Sequence, residues 1–243
     1  MKAGYLTHVG LRRNMNQDCI CYVKKDHSLL AIVCDGIGGA LAGDVASKMA
    51  CMHMKDRFLQ TNFQFFQKES IIKWIQQGIQ EANDLIFVQS TKVKEMNGMG
   101  TTITGILEVQ GKYFVFNAGD SRVYSFDSHL KQLTNDHTFV EMLVRNGEIS
   151  ADEALVHPMR NTLVNAVGIW DQVQIDIQEV QDDVQGYLIC SDGLHGYVDQ
   201  KTIENIVKEE DVDQACNHLL QAALDAGGYD NISVILLRKE ESL

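Results

Sequence analysis

Leu29-Leu30-Ala31-Ile32-Val33-Cys34-Asp35-Gly36-Ile37-Gly38-Gly39-Ala40 is the stretch around which the chain is organised. An apolar run ends on a carboxylate, three glycines follow within four positions, and an amphipathic helical pattern then begins. A strand that delivers an acid to a glycine-rich turn is one way in which α/β chains build a metal or phosphate site. The same turn is also an ordinary strand-to-helix connection, with the Asp as a helix cap. The choice depends on whether other strands bring acids to the same place.

The chain has 243 residues, 45% of them hydrophobic, enough for the core of one large domain, and no apolar run has the length of a membrane span. Met1 to His8 lacks the apolar core of a signal peptide, so a cytoplasmic protein is expected. Six cysteines (19, 21, 34, 51, 190 and 216) lie mostly in apolar runs and read as reduced thiols. Cys19-Ile20-Cys21 has no matching Cys or His pair at zinc spacing. With 21 basic against 33 acidic residues the formal net charge is −12, which argues against nonspecific nucleic-acid binding. An anionic substrate would meet a repulsive surface unless cations neutralise part of it.

Three strands are expected at Gly4 to Val9, Cys19 to Val23 and Leu29 to Cys34. The polar link Gly10 to Asp18, with Arg12-Arg13, reads equally as a surface loop or as a segment that holds a phosphate by Arg and a cation by Asp18. Helical periods follow over Leu41 to Phe58 and along Ile72, Ile75, Ile79, Ala82 and Ile86, the latter with Ser70 placed as a cap. Ile103 to Val109 alternates like a half-buried strand, Tyr113 to Ala118 is apolar almost throughout, and Val123 to Phe126 resumes after Gly119-Asp120-Ser121-Arg122. Residues 134 to 168 are polar, with short helices expected at Thr138 to Arg145 and Ser150 to Leu155, the second with a Ser150/Glu153 capping box. They read as a subdomain over one sheet edge. Gly186 to Cys190 is another buried strand, Asp211 to Leu224 a helix stopped by Gly227-Gly228, and Ile232 to Leu237 the last strand.

Asp35, Asp120, Asp192 and Asp230 each border an apolar strand, and they converge if those strands share a sheet. Carboxylates so close repel in a low dielectric and require a cation. Oxygen ligation without His or Cys points to Mg²⁺ or Mn²⁺ rather than zinc. Two such ions, about 3.5 to 4 Å apart, would position and acidify a bridging water for in-line displacement at phosphorus. Arg13 could neutralise the phosphoryl oxygens.

On these residues the sequence resembles the metal-dependent type 2C serine/threonine protein phosphatases, in their compact bacterial branch that opposes serine/threonine kinases. The matched motifs are Gly10-x-x-Arg13-x-x-Asn16-Gln17-Asp18, Asp35-Gly36-Ile37-Gly38-Gly39, Gly98-Met99-Gly100-Thr101-Thr102, Gly119-Asp120-Ser121-Arg122, Leu133-Thr134-x-Asp136-His137, His157-Pro158-x-x-Asn161, Ser191-Asp192-Gly193-Leu194 and Asp230-Asn231. The resemblance implies an α+β fold of four layers, α-β-β-α, in which a central β-sandwich of two antiparallel sheets is flanked by helix pairs, with a dinuclear metal cleft at one end. The residues alone do not choose between a sandwich and an open sheet. It further implies one catalytic domain over residues 1–243, with 134–168 as a flap beside the cleft that bears on substrate choice.

Carried over by position, Asp35 would bridge two Mn²⁺ or Mg²⁺ ions and the Gly36 carbonyl would bind the second. Asp192 and Asp230 would complete the first site, with Asn231 behind them. Asp18 would hold metal-bound water, Arg13 would bind substrate phosphate, and Asp120 with Asp192 would hold a weaker third ion. Catalysis would rest on Arg13, Asp35 and Asp192. Expected partners are phosphorylated proteins and a cognate serine/threonine kinase, with no nucleic acid, no membrane and a monomeric chain. Where eukaryotic members carry a His proposed as general acid, this chain has Ile37, which cannot donate a proton. His8, His53, His137 and His157 read as structural. The competing readings are an inactive phosphoprotein-binding or regulatory relative and a hydrolase of small phosphoesters.

Overall fold

The computed structural model describes residues 1–38, 42–180, 183–209 and 211–240; Gly39, Ala40 and Leu41, on which part of the glycine turn and the expected helix start fall, lie outside the described residues. Strands β1 (Lys2–His8), β2 (Cys19–Lys25), β3 (Ser28–Cys34) and the short β4 (Gly36–Ile37) precede helices α1 (Ala42–Gln60) and α2 (Lys68–Lys92). Next come β5 (Gly100–Thr101), β6 (Ile103–Val109), β7 (Lys112–Ala118), β8 (Arg122–Phe126) and β9 (Leu130–Gln132). After α3 (Phe139–Arg145) and α4 (Ala151–Val156) follow β10 (Asp176–Val180), β11 (Gly186–Cys190), α5 (Asp192–His195), α6 (Gln200–Val207), α7 (Val212–Asp225) and β12 (Ile232–Arg238).

Two five-stranded antiparallel sheets result, β1-β12-β11-β8-β9 and β10-β7-β6-β3-β2, while β4 pairs with β5. Period-2 alternation divides each buried strand between two cores. Ala31, Val33, Ile106 and Val115 face Val123, Ile189, Ile235 and Leu237 between the sheets. Their neighbours Leu30, Ile32, Leu107 and Phe114 pack against α1 and α2, and Leu188, Val234 and Leu236 pack against α6 and α7. The layers are therefore helix, sheet, sheet, helix, and each fully buried side chain such as Phe58 or Ile75 contributes about 1.5–3 kcal/mol. Sheets covered on both faces explain why β6 is buried throughout except Glu108, where alternation alone suggests a half-buried strand.

Ser70 does not cap α2: the helix begins at Lys68 behind Gln67, whose side chain makes no cap hydrogen bond. That start puts Ile71 in the core and leaves Ile72 half-buried. Ser150 and Glu153 do form a capping box on α4, and Thr138 caps α3. Segment 134–168 is closed on itself by a bridge from Thr138 to Leu163 and tied to the body by one from Thr101 to Val167. α6, unread in sequence, does carry helical spacing at Ile203, Ile206 and Val207, whereas β10 carries little apolar periodicity because it is an edge strand that keeps Gln178 and Glu179 in solvent. Among the described residues no helix is long and apolar enough to cross a membrane.

Candidate metal centre

The glycine turn brings two parts of the chain into backbone contact. A side chain at Gly36 would place its first carbon 2.3 Å from the Gly43 carbonyl oxygen and 2.5 Å from that of Gln17, so only glycine lets α1 start against β4. The Gly98–Thr102 motif holds the turn from the other side. The Asp35 carbonyl accepts Thr102 N at 2.8 Å and Thr101 Oγ1 at 2.9 Å, while Asp35 N donates to Thr102 Oγ1 at 2.9 Å. With its backbone fixed, the Asp35 carboxylate lines a cleft of about 210 Å³ together with Arg13, Asp120, Asp192 and Asp230. Larger cavities of about 510 and 520 Å³ lie elsewhere, but each has a single carboxylate in its wall, Asp176 or Asp26. The chemistry converges in the smaller one.

Each acid arrives on a different element. Asp35 follows β3, Asp120 lies between β7 and β8, Asp192 opens α5 and Asp230 precedes β12. Asp18 is placed differently: it is buried behind the cleft wall, where its Oδ2 accepts Ser191 Oγ at 2.8 Å and its Oδ1 has no hydrogen-bond partner. Asn231 ties the Gly10–Asp18 link to the site, accepting Gln17 N at 2.7 Å on Oδ1 and donating from Nδ2 to Val9 O at 2.9 Å and Met15 O at 3.0 Å. Arg13 Nη2 donates to Asp230 Oδ2 at 2.6 Å.

The electrostatics are those of an uncompensated acid cluster. Desolvation, then the neighbouring carboxylates, pushes Asp35 well above the usual carboxylate range. Desolvation likewise raises Asp120 to about 8, Asp18 to about 7 and Asp192 to about 6. Asp35, Asp120 and Asp192 keep a solvent-facing edge on the cleft, but protein encloses their remaining sides, so exposure and desolvation coexist.

Among the described residues no three His, Cys, Asp or Glu side chains form a closed ligand cage, and two of the acids are engaged elsewhere, Asp18 with Ser191 and Asp230 with Arg13. They nonetheless fit hard cations. The donors are all oxygen, Asp18 Oδ1 and Asp192 Oδ1 are buried without a partner, and the raised acids need positive charge to ionise.

The motif residues that are not acids brace those that are. Arg122 grips Asp136 through Nε to Oδ1 at 2.9 Å and Nη2 to Oδ2 at 2.6 Å. His137 Nδ1 accepts Gly119 N at 3.2 Å and Asn165 Nδ2 at 2.7 Å, and its Nε2 faces Asp176 Oδ2 at 3.3 Å. His8 and His157 cap local turns through Gly10 N and Met159 N, and His53 meets Glu81. Sequence reasoning missed His195, whose Nε2 donates to the Asp120 carbonyl at 3.0 Å; its position three residues after Asp192 was the available signal. It also missed Tyr197 and Tyr229, stacked with ring centroids 5.3 Å apart.

Comparison with known proteins agrees with this geometry. The family model described as protein phosphatase 2C matches residues 11–236. The serine/threonine phosphatase stp of Listeria monocytogenes is 37% identical, with 99% of this chain and 96% of the relative covered. Protein phosphatase PhpP of Streptococcus pneumoniae is 31% identical, with 99% and 98% covered. The crystal structure of serine/threonine phosphatase Stp1 from Staphylococcus aureus superposes with a TM-score of 0.92 at 32% identity, covering 98% of this chain and 95% of that one. A match that takes in the Arg13 link at one end and β12 at the other spans every segment that carries an acid of the cleft, and the chain belongs to the protein phosphatase 2C family.

Proposed function

We infer that the chain is a metal-dependent protein serine/threonine phosphatase that hydrolyses phosphoserine and phosphothreonine monoesters on proteins. The observation that carries this reading is the meeting of Asp35, Asp120, Asp192 and Asp230, from four separate segments, in one cleft with Arg13. Asp35, the Gly36 carbonyl, Asp192 and Asp230 are the residues that would hold two core ions, Mn²⁺ or Mg²⁺, and Asp120 with Asp192 a weaker third. When bound, such cations supply positive charge that acidifies water and polarises a phosphoryl oxygen.

The chain's own groups do the rest. Arg13, held beside the acids by Asp230, offers a guanidinium to the phosphoryl oxygens once it exchanges that carboxylate for substrate. Asp18, anchored by Ser191, is set to accept a hydrogen bond from water on the inner side of the site. Ile37, in the turn beside them, moves no proton, so the leaving alkoxide takes its proton from water. Segment 134–168, which contributes Asn161 and Leu163 to the cleft wall, acts as the flap. The phosphorylated proteins are those of a cognate serine/threonine kinase, and the chain acts as a monomer within a single catalytic domain in the cytoplasm.

The test is phosphate release from a phosphothreonine peptide with Mn²⁺ and with chelator. Metal-dependent release is expected, and its absence refutes the reading. Asp35→Asn and Asp192→Asn are each expected to abolish release; full rate in either would overturn the site assignment even with the activity intact.

A further inference from the structure

The cleft does not end at its acids. Asp120, Asn161 and Asp192 also line a second cavity of about 480 Å³, so the two spaces adjoin across these residues. Val140 and Val144 of α3 and Ala154 and Leu155 of α4 give this cavity an apolar wall, and Tyr197 stands among its other lining residues. Leu155 is 73% exposed and Tyr197 41% exposed, so both present apolar surface that no part of the described chain covers. Solvent-facing apolar surface beside a cleft favours an apolar occupant, which gains roughly 25 cal/mol for each Å² removed from water.

Tyr197 is held in place rather than loose. Its ring stacks on Tyr229, over which the Arg12 guanidinium sits at 5.7 Å, and the two tyrosines sit on the segments that carry Asp192 and Asp230. The ring is thus fixed relative to the acids. The charged groups of the cavity discriminate among occupants. Arg122 and Asp136 satisfy each other, Glu141 meets Arg145 at 3.7 Å, and the exposed Arg160 repels a basic side chain.

We propose that this cavity seats an apolar side chain flanking the phosphorylated residue, so that the enzyme selects phosphoproteins with an aliphatic or aromatic residue within a few positions of the phosphate. The inference rests on the phosphatase reading above. A polypeptide whose phosphorylated residue occupies the acid cleft carries its neighbours past Asn161, on the border of the two spaces, and a large apolar one fills the second. Such a pocket typically discriminates by about 10-fold or more.

The experiment compares phosphothreonine peptides flanked only by glycine with peptides carrying one leucine at each position from three before to three after the phosphate, all with Mn²⁺. The expected result is a kcat/KM about tenfold higher for leucine at one position at least, carried mainly by KM. Tyr197→Ala and, independently, Leu155→Ser are expected to bring the leucine-to-glycine ratio close to one, and Tyr197→Phe to keep it. Equal kcat/KM for every leucine peptide and the glycine peptide overturns the inference, as does a ratio that survives both Tyr197→Ala and Leu155→Ser. Release from no peptide would instead refute the phosphatase reading, and the inference with it.

Discussion

His195 Nε2 donates to the carbonyl oxygen of Asp120 at 3.0 Å, which ties the first turn after Asp192 to a second acid 72 residues earlier. Desolvation, followed by the nearby Arg122 charge, lowers the imidazole to about 3, so the ring is neutral and the bond is a fixed N–H donor at every working pH. Asp120 and Asp192 are therefore set relative to each other by a residue outside both.

The first prediction follows from that bond. His195→Leu leaves the Asp120 carbonyl without its donor and lets the two acids drift, so the weakest Mn²⁺ affinity measured by calorimetry should fall by about 10-fold or more. His195→Gln, which can return an N–H near the same place, should recover part of the loss. Equal affinities for wild type and His195→Leu would show that the turn is held by Arg122 and His137 alone.

Much of this arrangement is legible in sequence, and the remainder is not for identifiable reasons. The acids announce themselves because each borders an apolar strand, and the glycine at 36 because nothing larger fits between Gln17 and Gly43. The sandwich does not. A strand covered on both faces and one covered on a single face differ only in how polar the alternate positions are, and β6 with Thr104 and Glu108 reads as the latter although Thr104 bonds inside the core to the Ser121 carbonyl at 3.2 Å. Asp18 was readable as an acid of the site but not as a buried one, since its depth is decided by Ser191, 173 residues away. His195 and Tyr197 look like ordinary helix-end residues until the Asp120 turn and the Tyr229 turn are in place.

A second prediction concerns stability of the metal-free protein. Asp18, Asp120 and Asp192 have folded pKa values raised by burial to about 7, 8 and 6, above the unfolded carboxylate value of about 3.9. Between these limits the folded chain binds more protons than the unfolded one, so its stability falls as pH rises. This contribution is fully present below about pH 4 and is lost as pH climbs through 6 to 8. In chelator, the unfolding midpoint should therefore be higher at pH 5.5 than at pH 8.5, after allowance for the rest of the chain by Asp120→Asn. Added Mn²⁺ should reverse the order, because cations favour the ionised acids. A chelated protein more stable at pH 8.5 would contradict the buried, uncompensated character of the cluster.

The third prediction isolates Asn231. Its amide satisfies three backbone groups of the Val9–Gln17 link, so Asn231→Ala abandons one donor and two acceptors in a buried position. A loss of about 1–3 kcal/mol is expected in denaturant unfolding. Asn231→Asp should cost more than Asn231→Ala, since it keeps the acceptor for Gln17 N but turns a carboxylate oxygen toward two carbonyls.

The fourth prediction separates stability from catalysis at Arg13. Its pair with Asp230 is short, at 2.6 Å, but the Arg13 side chain is 52% exposed, and exposed pairs contribute only about 0–1 kcal/mol. Arg13→Ala should therefore leave the unfolding free energy within about 1 kcal/mol of wild type. Turnover is different, because the same guanidinium is the cation of the cleft wall that can reach the phosphoryl oxygens with two parallel donors. Arg13→Ala should lower kcat/KM on a phosphothreonine peptide by about 10- to 100-fold, the loss expected for a charge-assisted pair of about 1.5–3 kcal/mol. Arg13→Lys keeps the charge but not the fork, so it should restore less than the whole loss. Raised salt should weaken wild type and Arg13→Lys alike while leaving Arg13→Ala less affected, since the screened attraction is already gone. If Arg13→Ala instead lowered stability by several kcal/mol with kcat/KM preserved, the residue would belong to the fold rather than to substrate.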